Sequence, residues 1–289
     1  MKVRLLILFV TLMAITGGLS APVQAQTTPE RRLQVSPLRN EITTAPGAAY
    51  KGSLSLKNTG VATLKVALSA ETFGVINEQY DYTFNPHSPV NDWVHFTQQD
   101  IIIGANETYI VHYLISVPIG AEPGGKYISL FASALPLTSD GINSTARVGS
   151  LVYLTVPGDI TQPGELVSLK SPIVTTDSFS WSAVLRNGGT AHFRSSNKVQ
   201  LQTLWNTNVA ETDGSNLVLP ASLRLIQGAL PNPSWLGIYK VNYSFGLGDN
   251  PQANQTKILI YLPLLQTSIV LAGLLAAIII VTRRIRRTN

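Results

Sequence analysis

The chain has no cysteine. Disulfide staples, thiolate-bound zinc and a cysteine nucleophile are therefore excluded, and any folded part must be held by core packing. Histidine is scarce: His87, His95, His112 and His192 are dispersed, and none has a partner at metal-ligand spacing. The motifs His-Glu-x-x-His and Gly-x-Ser-x-Gly are both missing. Charge is sparse too, at 13% of residues. Glu78 with Asp81, and Asp92 with Asp100, are neighbours in sequence, but glycan hydrolysis needs two carboxylates facing each other across a cleft. Gly120 to Lys126 spells the start of a phosphate loop, yet Tyr127 stands where Ser or Thr is required and a strand-like run follows instead of a helix. That stretch reads as a Pro-Gly hairpin turn. The expectation is a protein that is not an enzyme, with no metal and no cofactor.

Long apolar runs are confined to the two ends. Lys2 and Arg4 precede an apolar stretch from Leu5 to Ile15, and Val23-Gln24-Ala25 has the small-x-small form cut by signal peptidases. Residues 1–25 are expected to be a signal peptide. The run from Leu264 to Thr282 is uncharged and would form a helix of roughly 28 Å, close to the thickness of a bilayer core. Pro263 precedes it, where a missing N–H costs nothing, and Arg283, Arg284, Arg286 and Arg287 follow it. Residues 264–282 are expected to span the membrane, with a basic tail over 283–289 on the cytoplasmic side.

These ends also explain the net charge of +5. Two of the 21 lysines and arginines lie in the signal and four in the tail, which leaves fifteen bases against sixteen acids outside. A domain so close to neutral offers no basic face for nucleic acid.

Between the ends the periodicity is two. Apolar and polar residues alternate over Ser53–Leu56, Lys65–Leu68, Tyr109–Tyr113, Lys198–Leu201 and Tyr239–Tyr243. Turn residues punctuate them at Asn58-Thr59-Gly60, Pro123-Gly124-Gly125, Asp140-Gly141, Asn187-Gly188-Gly189, Asp213-Gly214 and Gly248-Asp249-Asn250. No convincing helical period occurs from Leu33 to Leu262. The punctuation repeats: Leu56-Lys57-Asn58-Thr59-Gly60 is matched by Leu185-Arg186-Asn187-Gly188-Gly189, and Gly125-Lys126-Tyr127 by Gly237-Ile238-Tyr239. We read an all-β chain of two tandem immunoglobulin-like β-sandwich domains, residues 33–157 and 164–262, followed by one transmembrane helix.

The order Val35-Ser36-Pro37, Pro46-Gly47, Leu-Lys-Asn-x-Gly, Pro-Gly-Gly-Lys-Tyr and Arg147–Val152 resembles the peptidoglycan-binding domain of the WxL-interacting protein family of bacterial surface proteins. The resemblance implies signal, two immunoglobulin-like domains, one membrane helix and a short basic tail. It also implies attachment to cell-wall glycan (peptidoglycan) through the first domain and to a surface protein through the second. It carries over no binding residues. The chain itself offers aromatics, on whose faces the apolar C–H sides of sugars stack. Tyr80, Tyr82 and Trp93 flank the polar loop Asn85–Pro89 and are the candidate glycan-binding residues; burial of these rings in the sandwich is the competing reading. A membrane-tethered assembly factor similar to pilus chaperones, which also use two immunoglobulin-like domains, is the alternative function.

Overall fold

The computed structural model describes residues 32–135 and 146–288. The expected signal peptide and the Asp140-Gly141 turn lie outside these residues. Alternation builds the first sandwich. One sheet is ordered β1 (Leu33–Ser36), β3 (Ala49–Asn58), β8 (Thr108–Ser116), β6 (Val94–Phe96). The facing sheet is ordered β2 (Arg39–Thr43), β10 (Ala146–Val156), β9 (Gly124–Leu135), β4 (Leu64–Val75), β5 (Tyr82–Asn85), with β7 (Asp100–Ile103) also on β4. Leu54, Leu56, Val111, Ile115, Ile128, Leu130, Val152 and Leu154 point between the sheets and are buried.

The second sandwich repeats the plan. Its sheets are β11 (Gly164–Lys170), β13 (Phe179–Asn187), β16 (Ser222–Leu230), and β12 (Val174–Thr175), β18 (Asn250–Tyr261), β17 (Gly237–Leu247), β14 (Phe193–Thr203), β15 (Asn208–Val218). In both units the first strand changes sheet. β1 runs antiparallel to β3 and then β2 runs parallel to β10; β11 runs antiparallel to β13 and then β12 runs parallel to β18. The architecture is that of two tandem immunoglobulin-like β-sandwiches. Trp181, mid-strand in β13, is a core residue at 4% exposure. Its ring lies across Gly228, where a Cβ would stand 2.7 Å from the ring.

The repeated asparagines have one job. The Asn58 amide donates to Ala62 O at 2.7 Å and Gly104 O at 2.9 Å and accepts from Gly60 N–H at 3.0 Å. Asn187 donates to Ala191 O and Val218 O, both at 2.9 Å, and accepts from Gly189 N–H at 2.8 Å. Each fully buried amide closes a turn whose backbone groups would otherwise go unpaired.

Two turn readings are corrected. Asp213 and Gly214 lie inside β15, opposite Lys198 and Asn197. Gly214 serves packing there: a Cβ would sit 3.0 Å from the Asn197 amide, which is itself bonded to Asn216. The Gly120–Lys126 stretch is not a hairpin: its first four residues belong to the crossover between β8 and β9, which lie in opposite layers, and Gly124–Lys126 open β9.

Strand β18 ends at Tyr261, and helix α1 (Leu264–Thr288) begins three residues later. It is long and apolar enough to cross a membrane and none of it is buried by the rest of the chain.

Candidate functional site

An outward face of a solvated sheet should be polar. On the β2-β10-β9-β4-β5 sheet it carries a cluster of aromatic rings. Among the residues that alternate with the core positions are Phe73 on β4, Tyr82 and Phe84 on β5, Tyr127 and Phe131 on β9, and Tyr153 on β10, which gather into one cluster. Their rings touch edge to face: Phe73 with Tyr82 at 5.5 Å, Phe73 with Tyr153 at 5.5 Å, Phe84 with Phe131 at 4.9 Å. Phe131 lies flat because its neighbour is Gly149, where a Cβ would meet the ring at 2.9 Å. The Arg147 guanidinium caps it 3.3 Å from the ring centre and is held by Glu71. Tyr82 and Phe84 remain exposed, at 37% and 38%. Their ring planes are 31° apart and their centres 6.4 Å apart, so they form a small continuous platform.

This face runs into the joint between the sandwiches. Phe73, Tyr80 and Tyr153 pack there against Leu217 and Leu219. Glu41 pairs with Arg194 across the joint, with Arg194 Nε 3.2 Å from the carboxylate. Tyr127 meets His192 Nδ1 at 3.2 Å, and Leu225 N–H donates to Glu78 O at 2.7 Å. A cleft of roughly 60 Å³ opens at the edge of the joint, lined by Arg39, Tyr80, Tyr82, Tyr153, Asn216 and Arg224 among others. Arg39 stands 5.4 Å from the Tyr153 ring centre and Arg224 3.9 Å from that of Tyr80. The Arg224 Nε is buried with no acceptor among the described residues. Two guanidiniums and no carboxylate in the lining make the cleft suited to an anion. Burial pushes the Tyr80 and Tyr153 phenols upward in pKa, so both stay neutral.

The three sequence candidates are not brought together. Tyr82 is on the exposed platform. Tyr80 is 7% exposed, turned by a left-handed backbone (φ 69°) into the joint, where its oxygen accepts from Leu219 N–H at 2.7 Å. Trp93 ends a short 3-10 turn (Pro89–Trp93) and is half-buried against the first core. An exposed platform of all three is therefore not formed: one ring locks the sandwiches and another packs inward. Phe131, Arg147, Arg39 and Arg224 were missed. The signal for the aromatic face was in β9 itself, where Tyr127 and Phe131 stand at the parity opposite to the core positions Ile128, Leu130, Ala132 and Ala134, although Ser129 and Ser133 interrupt it.

A second surface lies at the other rim of this sheet. β2 pairs only with Leu151–Thr155 of β10. Over Ala146–Ser150 the strand has β9 on one side and no β2 on the other. Leu151 N–H donates toward Leu38 O, so by strand parity the backbone groups of Arg147 and Gly149 face the same edge, which no strand among the described residues pairs with. A groove of about 630 Å³ runs along it, lined by Leu33, Val35, Leu38, Val148 and Gly149 with Gln34 and Ser36.

No protein-family model matches the chain, and no curated protein matches it. Among solved structures, the class 5 fimbriae chaperone CfaA is similar over 78% of this chain and 99% of its own, at 10% identity and TM-score 0.41. The CsuC–CsuE chaperone–tip adhesion subunit complex of Acinetobacter baumannii matches 80% of this chain and 99% of its own (12%, 0.39). The Salmonella enterica SafA pilin–SafB chaperone complex matches 81% and 98% (11%, 0.38). At such scores the likeness speaks neither to ligand nor to partner.

Proposed function

We propose that the chain is a non-catalytic, membrane-anchored binding protein of the cell surface, its two sandwiches outside the cell and its basic tail inside. Its first sandwich holds cell-wall glycan, as the resemblance to WxL-interacting proteins implies. The observation that carries this reading is the exposed Tyr82–Phe84 platform, backed by Phe73 and Phe131 and continuous with the two-arginine cleft. Sugar rings would stack on the platform, and carboxylates of the wall's peptide stems would reach Arg39 and Arg224. Each ring contributes on the order of 1 kcal/mol, so single contacts are weak. Tethering many copies to the membrane raises their effective concentration at the wall. In a pelleting assay with purified peptidoglycan, the full chain in detergent should sediment, and Tyr82→Ala/Phe84→Ala should stay in the supernatant with an unchanged β-type circular dichroism spectrum. A wild-type chain that does not sediment, or a double variant that sediments equally, refutes the glycan reading.

The open edge of β10 favours a second reading, in which an extended segment of a surface protein adds as a strand beside Arg147–Gly149 and seats apolar side chains in the groove. That is the action of an assembly factor. Leu38, 70% exposed at the groove mouth, separates the two. Leu38→Lys should abolish capture of the protein partner from envelope extracts and leave peptidoglycan sedimentation intact.

A further inference from the structure

We infer that the end of the second sandwich next to α1 rests on the bilayer, with Trp205 and Trp235 seated in the headgroup layer; this rests on α1 being a membrane anchor. The connection is too short for anything else. Only Leu262 and Pro263 separate β18 from the helix, and the first turn is fastened to the domain. Leu236 N–H donates to Gln266 Oε1 at 2.7 Å, and Gln266 Nε2 donates to Ser234 O at 2.8 Å. A helix that enters the bilayer at Leu264 therefore carries the loop 231–236 to the membrane surface with it.

The strand register brings a second loop to the same level. Gly237 pairs with Tyr261, and Tyr239 pairs with both Leu259 and Thr203. The turn after Thr203 is closed by Thr203 N–H donating to Thr207 O at 2.9 Å and is tied to β17 by Lys240 Nζ and Asn206 Oδ1 at 3.3 Å. Leu204 and Trp205 extend it by two residues, about 7 Å, which is the distance from the Tyr239 row to the Gly237–Tyr261 row.

The side chains there are the wrong ones for water. Trp205 is 85% and Trp235 72% exposed, whereas Trp181 is buried and Trp93 half-buried. Leu204 and Ile238 add exposed apolar surface at the same end. Interfacial tryptophan and tyrosine anchor membrane helices at headgroup depth. The helix from Leu264 to Thr288 contains neither residue. The folded domain supplies the aromatic belt that the helix lacks. Lys240, one residue from the Tyr239 row, and Asp177, two residues past Thr175 beside Tyr261, are of opposite sign and favour no single sign of headgroup.

The test uses the full chain reconstituted in phosphatidylcholine vesicles with plain or brominated acyl chains. Bromine quenches indole emission only within the bilayer and its interface. The wild type should float with the vesicles and lose, in brominated lipid, the emission of two of its four tryptophans. Trp205→Phe/Trp235→Phe should float equally and show no difference between the lipids. A wild type that floats but emits identically in both lipids overturns this inference and leaves the anchor standing. A wild type that does not float overturns both.

Discussion

Tyr80 gives the sharpest test of how the two sandwiches are joined. Its hydroxyl sits in a closed ring of bonds. Leu219 N–H donates to it at 2.7 Å, it lies 3.3 Å from Ser222 Oγ, and Ser222 donates onward to Leu219 O at 2.7 Å. Tyr80→Phe keeps the ring under Arg224 but strands the Leu219 amide in a buried site. An unsatisfied buried donor costs about 1–3 kcal/mol. For a folded unit of this size that lowers Tm by roughly 2–4 °C per kcal/mol. Tyr80→Ala also removes the ring and should cost about 3–5 kcal/mol. The backbone adds a counterintuitive element. Because φ is +69°, alanine is strained at this position and glycine is not, so Tyr80→Gly should be the more stable of the two small variants by about 1 kcal/mol. Denaturant titrations of the full chain in detergent, followed by circular dichroism, give the order wild type, Phe, Gly, Ala; hydrogen exchange of the Leu219 amide should quicken in all three variants. A Tyr80→Phe curve that overlays the wild type, with the Leu219 amide equally protected, would refute the account of the joint.

Four further outcomes are expected. Asn58→Asp or Asn187→Asp turns a buried amide donor into a carboxylate facing carbonyl oxygens and should cost about 3 kcal/mol or more, read as a loss of denaturation midpoint. Gly149→Ala pushes Phe131 and Arg147 off the aromatic face and should weaken peptidoglycan sedimentation with a smaller effect on the melt. Burial holds the His192 imidazole below its usual pKa, so the unfolded chain takes up a proton first as pH falls through 6.5. Stability should be flat above that pH, decline beneath it and level off below the folded pKa, and His192→Gln should remove the slope. Protease added to intact, wall-stripped cells should digest residues 26–262 and spare an epitope after Asn289; loss of the epitope first would reverse the orientation.

Much of the fold was legible because it is local. Alternation at Ser53–Leu56 or Tyr239–Tyr243 is a direct imprint of a half-buried strand, and Asn58 and Asn187 recur because one side chain closes each turn. Asp213-Gly214 misled for the converse reason: a glycine needed to clear the Asn197 amide looks the same in sequence as one needed for a turn. The site was less legible because its parts meet across the chain. Arg39 and Arg224 line one cleft from different sandwiches, and no period links them. Tyr80 and Tyr82 stand two apart, which on a regular strand means one face. Tyr80 lies instead in the turn between β4 and β5, where Asn77 bonds the Asp81 N–H and the left-handed backbone swings the ring toward a partner 139 residues away.

That swing has a consequence for binding. The β4–β5 hairpin presents Tyr82 and Phe84 outward and, through Tyr80 and the Glu78 carbonyl, grips β16 of the second sandwich. The second sandwich is in turn fastened to α1 through Gln266. From platform to helix every junction is a buried cluster or a set of hydrogen bonds, so the platform has a fixed height and direction relative to whatever α1 enters. A ligand held on Tyr82 and Phe84 would pull on the membrane through this chain of contacts, and cutting it at Tyr80 should weaken the mechanical link without touching the platform. Vesicle-reconstituted Tyr80→Ala would still sediment with peptidoglycan through Tyr82 and Phe84, though more weakly because Arg224 loses the ring it rests on, while fluorescent labels on the two sandwiches would report a broadened distance distribution. A distribution as narrow as the wild type's would mean that the linker and the Glu41–Arg194 pair fix the geometry without Tyr80.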